Sequence, residues 1–111
     1  MGSYADDALF MSRNNIEYVE LISDDGKSKV MVIPAWQGRV MTTSAAGDEG
    51  DSYGWINYSF IKKRQIDLQF NPVGGEERFW LGPEGGVFSL YFRQGEKQIY
   101  KNWKVPPVLD I

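Results

Sequence analysis

Apolar residues change their spacing several times along this chain, and each change marks an element. Ala5, Ala8 and Leu9 recur at helical spacing, and Ser3-x-x-Asp6 ahead of them has the form of a capping box. With Asn14-Asn15 as a stop, this predicts one short helix over residues 4–13. From Ile16 to Ile22 the chain turns β-branched and aromatic, and Val30 to Ile33 is apolar again. Asp24-Asp25-Gly26-Lys27 lies between them, and two such runs around Asp-Gly predict a hairpin. Pro34 has no N–H to donate and closes the second strand. Gly38 to Ser44 reads as a third strand and Ala45 to Ser52 as a polar, acidic loop. Tyr53 to Ile61 is aromatic and ambiguous. Ile66, Leu68 and Phe70 alternate with Asp67 and Gln69, a strand period of two. Val87 to Phe92 is apolar on both faces, as a central or sandwiched strand would be, and Gln94-Gly95-Glu96 turns after it. The expected fold class is all-β: an antiparallel β-sandwich, or a barrel, with a short N-terminal helix. A single β-rich domain over residues 1–111 is expected, because no repeat, low-complexity tract or linker divides the chain.

Composition narrows the chemistry more than the fold. The 111 residues are 42% hydrophobic and 24% charged, which suits one folded domain with one modest core. The formal net charge of −3 argues against nucleic acid as the main partner, since phosphate binding needs concentrated Lys and Arg. Lys62-Lys63-Arg64 is the one basic cluster, and it reads as a solvated strand end or loop. There is no Cys and no His. Disulfides, thiol chemistry and thiolate metal sites are excluded, and so are the commonest acid/base and the commonest transition-metal ligand. Catalysis would have to run on Asp, Glu, Lys, Tyr, Ser or Thr, and no cofactor is expected. No apolar run has the length of a membrane helix, so no membrane insertion is expected. No signal peptide is visible; Met1-Gly2-Ser3 could be a vector-derived remnant, and a native leader, once removed, would leave a periplasmic or exported protein. The compartment is open. The chain closes on Val108-Leu109-Asp110-Ile111, so either this tail docks into the core or the chain is cut from something longer.

The densest candidate chemistry lies in Asn71-Pro-Val-Gly-Gly-Glu-Glu-Arg-Phe-Trp-Leu-Gly-Pro-Glu-Gly-Gly86. Gly74-Gly75 and Gly85-Gly86 permit backbone angles other residues avoid and let a ligand approach the main chain. Glu76, Glu77, Arg78 and Glu84 could bind hydroxyls or a carbonyl, Arg being the bidentate donor, and Trp80 could stack on a sugar ring. The alternative is structural: Phe79, Trp80 and Leu81 as core plugs, Arg78 paired with a glutamate, and glycines that only turn. Arg39, after Trp36-Gln37-Gly38, could face the same ligand or cap a strand edge. Large aromatics favour the core, and most of Trp36, Trp55, Trp80 and Trp103 are expected there. Asp48-Glu49-Gly50-Asp51 has the oxygen density of a calcium loop but neither the spacing nor the closing glutamate of an EF-hand, and reads as an exposed acidic loop. No metal site is expected. A glycosidase pair of Glu76 and Glu84 would need a set separation that spacing alone does not give.

The stretches Val32-Ile-Pro-Ala-Trp-Gln-Gly-Arg-Val-Met-Thr-Thr-Ser-Ala-Ala-Gly-Asp-Glu-Gly50, Gly54-Trp-Ile-Asn57 and Phe70 to Phe92 resemble a family of functionally uncharacterised bacterial proteins, frequent in Bacteroidetes. The resemblance runs from about Asp6 to Asp110 and extends, at a distance, to the galactose mutarotase (aldose 1-epimerase) superfamily. It implies part of a large antiparallel supersandwich with a sugar-binding face, and Gln37-Gly38-Arg39 is similar to an early turn of such chains. Arg78, Trp80 and Glu84 would then lie near the sugar cleft. Such proteins are longer, so this chain is expected to be an N-terminal portion. Mutarotases use a histidine acid and a late glutamate base; with no His here, no catalytic residue carries over. The expected function is a carbohydrate-associated binding domain without catalysis of its own. The alternatives are a truncated structural fragment and a glycan-acting enzyme using glutamates. The cut edges of a sandwich predict a homo-oligomer that covers them. The expected ligand-binding residues are Arg39, Glu76, Arg78, Trp80 and Glu84, with no catalytic residue.

Overall fold

Ser3 starts the first element as its spacing requires. In the computed structural model, which describes residues 2–106 and 109–111, its hydroxyl accepts from Asp6 N at 3.1 Å and its N–H donates to Asp6 Oδ2. The capping box opens helix α1, Tyr4–Arg13, the span expected. Asn14 ends it, and Asn14 Nδ2 donates to Phe10 O at 2.8 Å. Met1, Pro107 and Val108, which belong to the expected remnant and the apolar tail, lie outside the described residues.

Strands β1 (Val19–Ile22) and β2 (Lys29–Ile33) form the hairpin, joined through Ser23–Ser28. Asp25 directs that turn: its Oδ1 accepts from Ser23 Oγ at 2.6 Å and from Lys27 N at 3.0 Å, and Gly26 takes φ 73°. Strand β3 (Arg39–Ser44) completes an antiparallel sheet of order β1-β2-β3. A bulge breaks its register, with Met31 opposite Thr42 but Val32 opposite Val40. Met41 is the extra residue. Arg39 and the bulged Met41 are therefore buried on one side of the break, and Thr42 and Ser44 on the other. Tyr4, Phe10, Met11, Met31, Ile33, Met41, Ile56, Ile61 and Val73 form one core between α1 and the sheet. Helix α2 (Tyr58–Lys63) is the resolution of the ambiguous aromatic stretch; Asn57 caps it, and Tyr58 stacks on Phe10 at 3.9 Å. Lys62 and Lys63 fill its exposed last turn.

Two expected strands are not strands. Over residues 66–70 the carboxylate of Asp67 accepts from Gln69 N at 2.7 Å and Phe70 N at 3.2 Å. Asn71 Oδ1 takes the N–H of Asp67 itself at 2.7 Å. These side chains bend the backbone and take donors that a ladder needs. Over residues 87–92, Ser89 Oγ accepts from Tyr91 N and the side chain of Gln98 grips both polar groups of Gly86. Among the described residues no strand lies alongside, and Val87 and Phe88 are 87% and 82% exposed. The part of the expectation that holds is coarser than a sandwich: one three-stranded antiparallel sheet with a short N-terminal helix, in a mixed molecule.

Beyond residue 73 the chain makes an arm whose interior is aromatic. Trp80, Tyr91, Trp103 and Tyr100 stack in sequence, and Phe70 meets Trp103 edge-on. The arm is tied back by Val105 N to Gln69 O, by Asn71 Nδ2 to Asp110 Oδ2 at 2.6 Å and by Gln37 Nε2 to Leu109 O. Ile111 packs against the core, so the described end of the tail docks. The tryptophans are less buried than expected: Trp55 is 64% exposed and the other three are half-buried. Among the described residues, no helix is long and apolar enough to cross a membrane.

Candidate functional site

The first glycine pair is what allows the cleft to form. Residues 73–77 lie across two earlier segments: Asn57 N donates to Val73 O, Gly75 N to Trp55 O, and Val40 exchanges hydrogen bonds with Glu76 and Glu77. Gly74 and Gly75 sit at φ 96° and 103°. A Cβ at Gly74 would stand 2.2 Å from Trp55 O, and one at Gly75 would stand 2.9 Å from Arg39 Cδ. Side chains are excluded there because another backbone and the arginine stem already occupy the space.

Arg39 passes beneath this crossing. It points inward from β3, is 2% exposed, and donates from Nη1 to Gly74 O and from Nη2 to Gln37 Oε1, both at 2.5 Å. Its Nε is buried without a partner among the described residues. Burial, then the charge of Arg78, lowers its pKa to about 10, and Asp110 opposes the shift. Arg78 is held from its other side: its guanidinium lies 4.2 Å from the Trp80 ring and 6.0 Å from Phe70. Its Nε is likewise buried and unpaired. Trp80 is fixed in turn by stacking on Tyr91 at 5.0 Å and by donating from Nε1 to Glu84 Oε1 at 2.7 Å.

Together Arg39, Gly74, Gly75, Glu76, Glu77, Arg78 and Trp80 line an open cleft of about 320 Å³. Four of the five residues expected at a ligand site, Arg39, Glu76, Arg78 and Trp80, meet there. Glu84 does not line it, and stands one step behind, on Trp80 Nε1. The second glycine pair is also outside, in the exposed turn held by Gln98. Glu76 and Glu77 are exposed on the rim; Glu76 Oε1 accepts from Thr43 Oγ1 at 2.9 Å and Glu77 Oε1 from Arg78 N at 3.0 Å. Gln37 is marked in the sequence only as part of the Gln37-Gly38-Arg39 turn, not as a site residue. It holds Arg39 while sitting at φ 67°, a conformation a glutamine does not advertise. Asp48 is committed to Lys29, with Nζ–Oδ1 at 2.5 Å.

Fold and cleft define a small mixed protein with a polar, arginine-lined cavity at one edge of a short antiparallel sheet. The chain belongs to a family of unknown function, DUF6786, which it matches over residues 2–111. No curated protein and no solved structure matches it.

Proposed function

We propose that this chain is a carbohydrate-binding domain with no catalytic activity of its own. The observation that carries the reading is the lining of the cleft. Its volume is in the range of small-molecule sites, but its walls are two guanidiniums, two carboxylates and glycine backbone, with Trp80 alone bringing an apolar surface. Such a surface suits a ligand covered in hydroxyls, which donate to Glu76 and Glu77 and accept from Arg39 and Arg78. The sheet is then one piece of an antiparallel sandwich of the mutarotase kind, with its sugar face at the cleft. The test is titration calorimetry against a panel of monosaccharides, with Arg78→Ala and Trp80→Ala alongside. Binding that is lost in both variants while their thermal midpoints hold supports the reading. Loss of folding in both assigns these side chains to packing instead.

A second reading has its own support in the exposed apolar side chains of β1, Val19, Leu21 and Ile22, on an edge strand. In it the chain is a structural piece whose edge is covered by a second copy. Light scattering decides: a dimer supports it, and a monodisperse monomer removes it.

A further inference from the structure

We infer that the cleft takes its ligand by a carboxylate, so that its sugar is an acidic one, a uronate-type pyranose seated on Arg39 and Arg78. The inference rests on the carbohydrate reading above and names the substrate class for the same site.

Two guanidiniums share one small cleft, and among the described residues neither has a carboxylate within ion-pair distance, although Asp110 acts on Arg39 from farther off. Among the described residues, ion pairs within 4.0 Å join only Lys29 to Glu20 and Asp48. Glu76, Glu77 and Glu84 are all within a few residues of Arg78, yet none takes it. Glu76 is turned to Thr43 and Glu84 to Trp80. Arg39 is almost wholly buried, and its hydrogen bonds go to neutral oxygens, a carbonyl and an amide. A buried cation hydrogen-bonded only to neutral acceptors, and repelled by Arg78 more than Asp110 offsets, is an unfavourable arrangement. An anion between them relieves both the repulsion and the desolvation, and a planar carboxylate matches the fork of a guanidinium.

The rim selects which anion. Glu76 and Glu77 are exposed there, so the charges lining the cleft balance before a ligand arrives. A phosphate dianion would bring twice the charge of a carboxylate against these glutamates. A uronate brings one charge, for the arginines, and ring hydroxyls, for the glutamates. Arg78 is preorganised for the contact, because its guanidinium lies against the Trp80 ring and near Phe70.

The experiment compares D-glucuronate and D-galacturonate with D-glucose and D-galactose, and adds acetate and inorganic phosphate as anions without a sugar. Trp fluorescence and calorimetry read the binding. The expected result is that a uronate binds roughly tenfold or more tightly than its neutral parent, as charge-assisted hydrogen bonds to a guanidinium require. Acetate and phosphate bind more weakly than the uronate. Arg78→Lys, which keeps the charge and loses the fork, lowers uronate affinity several-fold with an unchanged circular dichroism spectrum. Arg39→Lys does the same if it folds, and Arg78→Lys keeps the test decisive if it does not. Equal affinity for uronate and neutral sugar overturns the inference and leaves the carbohydrate reading standing. Acetate or phosphate binding as tightly as the uronate overturns both, and so does an absence of binding to every probe.

Discussion

Gly75 shows how much one missing side chain can decide. At φ 103° with the Arg39 stem beneath it, alanine there is both strained and crowded. Gly75→Ala is expected to cost about 1–3 kcal/mol, read as a lowered urea midpoint, and to displace Arg39 from the cleft. Gly75 is legible as a glycine of consequence from its place in a Gly-Gly pair, but the reason is not, since Arg39 lies far away in sequence. Tyrosines carry a second prediction at this scale. Burial, then the hydrogen bond to Glu20, raises the pKa of Tyr4; burial, then the bond to Asp7, raises that of Tyr58. Their folded values lie above the unfolded value of about 10, so the stability they contribute is intact below pH 10. It is lost as pH rises past 10 toward the folded values. Absorbance titration should show these tyrosines ionising late, and Tyr4→Phe should make the thermal midpoint less sensitive to pH above 10.

At the level of elements, local signals succeeded where the cause is local. The capping box and the Asp-Gly turn act within a few residues, and α1 and the hairpin follow from them. The alternation at Ile66, Leu68 and Phe70 misled because period two describes which faces side chains point to, and Asp67 and Asn71 had other uses for the backbone. A strand also needs a neighbour, and among the described residues none lies beside residues 87–92. Bonds from Gln69 and Phe70 N–H hold the Asp67 carboxyl below the ordinary aspartate value. Its contribution is therefore present above about pH 4 and lost as pH falls through the folded value. Asp67→Ala should speed amide exchange at Gln69 and Phe70 at neutral pH, and the difference from the parent protein should close on acidification.

Taken whole, the molecule is long: 53 × 28 × 21 Å, with a radius of gyration of 16.2 Å. A compact chain of this length would give about 13 Å. Its accessible surface of 7315 Å² likewise exceeds the roughly 6200 Å² expected for its mass. The excess sits with Leu68 in the bend before the arm, with Phe79, Val87 and Phe88 on the arm and with the edge strand β1. Composition foretold one modest core, and the core is modest; it does not foretell that the second half would fold around a stack of rings instead. Dye binding checks this: 1-anilinonaphthalene-8-sulfonate should fluoresce with the native protein, and replacing Val87 and Phe88 by Ser should dim it with little change in thermal midpoint.

The crossing of Gly74 and Gly75 over Arg39 also sets a timetable for a chain made from its N-terminus. Arg39 leaves the ribosome well before the carbonyl that will hold it. At bacterial to eukaryotic synthesis rates, the stretch from Arg39 to Arg78 takes about 2–8 s to make. The hairpin can form in microseconds within that interval, so β3 is built early with its arginine still open to water. Sealing waits for the glycine pair. The cleft is therefore completed after the sheet it borders, and a ribosome that stalled before residue 74 would release a sheet whose inward cation had nothing to lie under.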